Sequence, residues 1–203
     1  MATQPDRSGS GIPPVSAEAG RAEAPPASPV ALRMGAIVRL AGELGGERFP
    51  RGDLADLRRL VPESPDAPAF WRLLFELVPE TERRGETRES RWALVLHGLA
   101  LTTQPGLAAH RQGARIGGVL AEQGFSTLRL NRLLRARGPA FRDQAPRACR
   151  FLAARGAVID WARFGLLLLA PDQSDEQEHY RREIARDYFR ALHSAARAAT
   201  TLA

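Results

Sequence analysis

The sequence predicts an all-α protein: a helical bundle, arranged as two small abutting bundles. Three observations carry that expectation. Beyond residue 29, apolar side chains recur every three or four positions, the period of one helix face. The segments so marked are closed by Gly or Pro, as at Gly45-Gly46, Pro79, Gly124 and Gly138-Pro139. No alternating run of strand length interrupts them, and no internal repeat occurs. With 203 residues and 44% hydrophobic content, the chain can fill one sizeable core or two small ones.

Residues 1–29 stand apart. They hold six prolines, no aromatic residue and only Met1, Ile12 and Val15 as large apolar side chains. Such a stretch cannot bury enough surface to offset its ordering entropy, so a disordered Pro/Ala-rich tail is expected. The folded part is then 30–203, divisible at about residue 110 into sub-bundles 30–110 and 111–203.

Within it, Leu32, Ala36, Ile37 and Leu40 mark a helix over Val30–Leu44. Asp53 is expected to cap a short helix with Leu54, Leu57 and Leu60 inward, closed before Pro62. Pro68 opens a third helix with Phe70, Trp71, Leu74 and Leu77 on its face. Arg91–Thr102 is apolar nearly all round, which predicts a central buried helix. Gln112–Gln123 ends at Gly124, and Ser126 caps the next helix, which runs over Leu128–Arg137. Phe141–Arg155 continues with a break expected at Pro146. Asp160 caps Trp161–Leu169. The last helix, about Ser174–Arg197, turns Tyr180, Ile184, Tyr188, Ala191 and Leu192 inward, with acids in its first turn to suit the helix dipole.

Composition excludes several chemistries. All 29 basic residues are arginine. Without lysine there is no Schiff-base or pyridoxal-phosphate attachment, and no lysine-dependent P-loop. A GC-rich coding bias accounts for most of lysine's absence. The lone Cys149 can make neither an internal disulfide nor a thiolate zinc site, so the reducing cytoplasm is the default compartment. No apolar run reaches membrane-spanning length, and no signal peptide opens the chain.

The arginines are unevenly placed. Arg111–Arg155 contains ten of them against only Glu122 and Asp143, a local charge of +8 where the whole chain carries +6. On the helix after Ser126, Leu130, Leu133 and Leu134 take one side. Arg129, Arg132 and Arg135 follow the opposite flank at i, i+3 and i+6, roughly 4.5 Å apart along the axis. Forks at that pitch suit successive phosphates of a nucleic-acid strand. The plainer alternative is a solvated arginine face.

The remaining polar residues read structurally. His97 lies in an apolar helix and fits a hydrogen-bonded core position, while His110, His179 and His193 have no metal-ligand spacing. Trp71, Trp92 and Trp161 are core anchors. Glu86 with Glu89, and Asp53 with Asp56, are first-turn acids. No nucleophile elbow or HExxH motif occurs, so neither catalysis nor a cofactor is expected. A helix-turn-helix centred on Gly124 is the competing DNA-binding pattern, but Leu120 is too bulky for the close packing that motif needs. A plain helical hairpin fits better there.

Five blocks taken in order resemble one family: FWRLLFELVPE (70–80), RWALVLHGLAL (91–101), RIGGVLAEQGFSTLRLNRLLRARG (115–138), FLAARGAVIDWARFGLLLL (151–169) and REIARDYFRAL (182–192). They are similar to CasB, the small subunit of the type I-E CRISPR Cascade surveillance complex, across about Met34–Arg197. The resemblance implies two small helical bundles, no enzymatic activity, and two copies of the chain along the complex. The implied partners are CRISPR RNA paired with target DNA, the displaced strand, and the large, backbone and RNA-processing subunits. The implied role is holding both nucleic-acid elements of the R-loop through basic residues. On this sequence the first positions are Arg129, Arg132 and Arg135, then Arg115, Arg137 and Arg142. Arg111, Arg147 and Arg150 rank lower because of Pro146. Arg51, Arg58 and Arg59 are added from the early helices. A structural adaptor using its arginines on acidic proteins, or a helix-turn-helix regulator, would be the other outcomes.

Overall fold

The computed structural model describes residues 28–201, and among these ten α-helices form in order. They are α1 (Pro29–Gly45), α2 (Arg51–Arg59), α3 (Pro68–Leu77), α4 (Glu80–Arg83), α5 (Glu86–Thr102), α6 (Ile116–Glu122), α7 (Thr127–Arg135), α8 (Gly138–Ala153), α9 (Trp161–Leu169) and α10 (Asp175–Thr201). The only extended pairing among the described residues is an isolated parallel bridge, His110 to Ile159. The expected tail lies outside the described residues up to position 27. Its last two residues do not belong to it: Ser28 caps α1 through its hydroxyl, which accepts from Ala31 N at 3.2 Å, and Pro29 is the first helical residue.

Other boundaries also move. Asp53 is not a cap: α2 opens at Arg51 behind Pro50, and Asp53 in its first turn instead accepts from Arg72 at 2.7 Å. Residues 112–115 form a turn before α6, and the short α4 was not expected at all. The largest revision is α8, which runs unbroken through Pro146. Proline forfeits one helical hydrogen bond and crowds the preceding turn. Here the buried Phe141, Ala145, Cys149 and Leu152 on the same helix hold the turn in place.

The central helix is α5, packed by α8, α2, α9 and α1. Trp92 and Trp161 are fully buried with their indole N–H groups satisfied, by Glu82 O at 2.9 Å and Thr102 Oγ1 at 3.1 Å. Trp71 is only half-buried. Helix α10 lies along α6 so closely that a Cβ at Gly117 would fall on the carbonyl oxygen of Ile184, which requires glycine there. Thus α6 takes α10 as its main neighbour, while α7 packs on α8 and α10; the hairpin expected at Gly124 is not a packing unit. One contiguous apolar cluster, from Ala36 to Tyr188, joins both halves of the chain. Beyond Tyr188 the inward stripe of α10 ends: Ala191 is half-buried and Leu192 is exposed.

His97 is buried and donates from Nδ1 to Leu57 O at 3.0 Å. Burial first, and then the nearby Arg150, lowers its pKa below the ordinary value of 6.5, while the bond to Leu57 opposes them. A base depressed in the folded state takes up its proton more readily when unfolded. Stability is therefore full above about pH 6.5 and declines as pH falls below it toward the folded pKa. Urea midpoints measured from pH 7.5 down to 5 are expected to drop for the wild type and to drop less for His97→Gln.

Candidate nucleic-acid interface

The turn that aims α7 is built from local geometry. Gly124 adopts φ +76°, Phe125 N–H reaches back to Leu120 O at 2.8 Å, and Gly124 N–H to Ala121 O at 3.0 Å. This left-handed closure satisfies the last carbonyls of α6. The Ser126 hydroxyl then accepts from Arg129 N at 3.4 Å and starts α7. Leu130 and Leu133 are buried, and Arg129, Arg132 and Arg135 stand exposed.

The far end of α7 is held from α10. Arg181, only 3% exposed, donates to Leu133 O at 3.3 Å and Leu134 O at 2.7 Å, carbonyls that a helix end leaves without partners. Its other fork reaches Gln177 Oε1 at 3.1 Å, and the guanidinium lies 4.5 Å from the Phe141 ring centroid. Burial, then the Arg137 charge, brings its pKa down to about 10, so it stays charged at neutral pH. Arg137 adds a donation to Leu134 O at 2.7 Å and an ion pair with Glu178 at 2.7 Å.

Two arginine-lined grooves result, one on each side of α8. The first, between α7 and α8, is about 200 Å³ and is lined by Phe125, Arg129, Arg132, Gln144, Arg147 and Phe151. Among the described residues, no carboxylate lines it. Phe125 and Phe151 meet edge to face at 4.8 Å, and Arg155 stacks on Phe151 at 3.6 Å while donating to Gln123 O. The second, about 430 Å³, lies between α8 and the end of α2 with its following loop. Arg58, Arg59, Arg142, Arg147 and Arg150 line it beside Glu63 and Asp143, with the edge of His97 at its base. Arg147 belongs to both linings.

The other expected positions are placed differently. Arg58 spends its fork on the carboxyl end of α5, donating to Ala100 O at 2.9 Å and Thr103 O at 2.8 Å. Arg142 lies 3.7 Å from both Glu63 and Asp172. Arg115 pairs with Asp187 at 3.4 Å and, with Arg111, lines a separate cleft between α6 and α10. Arg51 is exposed at the start of α2, outside all of these grooves. Among the described residues, no ion pair engages Arg129, Arg132, Arg135, Arg147 or Arg150.

Sequence reasoning left the facing of Arg147 and Arg150 open because it broke the helix at Pro146, which α8 in fact runs through, and it passed over Arg181. A signal for Arg181 exists: Gln177, Arg181, Ile184 and Tyr188 follow four-three-four spacing, which puts an arginine on the buried seam of α10. Cys149 is fully buried, and burial pushes its thiol up to about 12, so it is no nucleophile at neutral pH.

A bundle of this kind, with exposed arginines carried on two adjoining helices, defines a small all-helical protein with a cationic surface. The CRISPR-associated protein Cse2 model matches residues 53–189, two thirds of the chain and all of both grooves. The chain belongs to the Cse2/CasB family, the small subunits of Cascade. The crystal structure of CasB from Thermobifida fusca aligns with a TM-score of 0.60 at 17% identity, over 77% of this chain and 97% of that one, a likeness of fold. No curated protein matches in sequence. Among the described residues, no helix is long and apolar enough to cross a membrane.

Proposed function

We propose that this chain is the non-catalytic small subunit of a type I-E Cascade effector, acting in the cytoplasm. In this role it binds the CRISPR RNA–target DNA hybrid and the displaced strand and so stabilises the R-loop. The observation that carries the reading is the convergence of Arg129, Arg132 and Arg147 on one groove, where among the described residues they make no ion pair and no carboxylate lines the groove. Guanidinium forks so placed bind phosphates and ignore base identity. Its partners would be the RNA, both DNA strands, neighbouring subunits and a second copy of itself. A single chain offers few contacts, so binding by the free protein is weak and gains strength from effective concentration within the assembly.

The test is a gel shift of the purified protein on random-sequence single-stranded and duplex DNA across a salt series. The expected result is weak, sequence-blind binding, with log K falling against log salt by about 0.7 per phosphate contacted on single strands and 0.9 on duplex. Tight binding to one palindrome would replace this reading with a helix-turn-helix regulator. Absence of binding at low salt would leave the arginines as contacts to acidic protein surfaces.

A further inference from the structure

We infer that the pocket between the first turns of α1 and α5 is a carboxylate site, and that the chain seats its own Glu23 there. The inference is independent of the nucleic-acid role proposed above. The pocket is about 130 Å³; Arg33, Arg88 and Arg91 line it, with Glu82 as the one carboxylate among the described lining residues. Glu82 is already engaged, since Arg33 donates to its Oε2 at 2.6 Å while also reaching Glu176 Oε1 at 3.5 Å. Arg88 donates to Thr81 O. Arg91 is half-buried, and among the described residues its guanidinium makes neither a hydrogen bond nor an ion pair. Burial lowers its pKa; Asp172 supports its charge from beyond ion-pair distance, while Arg142, Arg33 and Arg88 oppose it. A charged fork held part-way out of water, with no acceptor of its own, is completed by an oxygen anion.

The chain itself supplies the nearest tethered acid. Its path enters α1 at Ser28, and Arg33 stands five residues further, ~7.5 Å along the helix axis. Glu23 precedes Ser28 by five residues, a reach of up to ~17 Å that covers this distance with room to turn back. Glu18 and Asp6 lie ten and twenty-two residues out, and loop closure favours the shortest adequate tether. Pro25 and Pro26 limit the backbone choices between Glu23 and Ser28, which lowers the entropy lost on seating. A tether of this length holds the carboxylate at roughly millimolar effective concentration, so even a weak charge-assisted contact is well populated. Seating Glu23 on Arg88 and Arg91 ties the entry of α1 to α5. The Arg33–Glu82 pair beside it already ties α1 to α4.

The test is phenylglyoxal modification of the full chain at low salt, with the rate at Arg91 read by mass spectrometry against exposed Arg132. Glu23→Gln changes no contact among the described residues and should speed modification of Arg91 about threefold, mid-range for a partly exposed ion pair. Glu23→Asp should keep most of the protection and Glu18→Gln all of it, while salt at about 0.5 M should abolish it in the wild type. A nitroxide on Ala22→Cys reads the same contact from the other side. Cys149 does not compete for the label, being buried with its thiol pushed up to about 12. The nitroxide should gain mobility in Arg91→Met and in Glu23→Gln alike. Equal Arg91 rates in wild type and Glu23→Gln, or a nitroxide indifferent to Arg91→Met, would overturn the inference. Acceleration by Glu18→Gln in place of Glu23→Gln would remove Glu23 as the occupant and overturn it too.

Discussion

Arg129→Ala, Arg132→Ala and Arg147→Ala combined are expected to weaken binding to random single-stranded DNA by roughly a thousandfold. A hydrogen bond to a charged group contributes about 1.5–3 kcal/mol, and exposed arginines fall at the low end, so each lost fork costs about tenfold. The salt dependence should flatten by about two units, since three single-strand phosphate contacts are removed. The loss should be the same on any base sequence. Stability should hold within about 0.5 kcal/mol, because all three side chains are exposed and make no internal ion pair among the described residues. Gel shifts across a salt series, with urea unfolding as the control, check all four statements. An unchanged slope would move the phosphate contacts elsewhere on the surface, and a changed base preference would bring back a sequence-reading protein.

Arg181→Met should have the largest effect on folding. The substitution keeps a long side chain for the space beside Phe141 but leaves Leu133 O without its donor, removes one of the two donors to Leu134 O and takes one cation from Glu178. Removing one member of a buried charged network costs about 3–5 kcal/mol, and the surviving Arg137 contacts to Leu134 O and Glu178 place this case near 3. Arg181→Lys, which retains the charge without the planar fork, should recover part of that loss. Urea unfolding supplies the measurement. A change below about 0.5 kcal/mol in Arg181→Met would show that α7 holds its position through Leu130 and Leu133 alone.

Much of this molecule was legible before any coordinates. The helix over Trp161–Leu169 and its Asp160 cap appear as expected, with Arg163 N donating to Asp160 Oδ1 at 3.4 Å. Ser126, Pro68 and Gly124 likewise act where local chemistry places them. These signals are carried by residues within one turn of each other, so spacing alone reveals them. The Pro146 error shows the limit of such rules. A proline's local penalty is real, but whether it ends a helix depends on what packs against the next turn.

The candidate surface divides along the same line. The charge excess over Arg111–Arg155 and the row on α7 could be counted from the residues in order. The assignment of Arg58 to the end of α5, forty-two positions away, could not. Nor could the ion pair of Arg115 with Asp187, or the position of Arg147 between two grooves.

By itself the sequence determined the helical class, most caps, the family and the concentration of arginine, because periodicity, capping and charge are properties of neighbours along the chain. Only the tertiary structure decided which arginines are spent internally and which face outward together. An arginine's partners are set by helices brought beside it from distant positions, and its long side chain chooses among them only once those helices have packed.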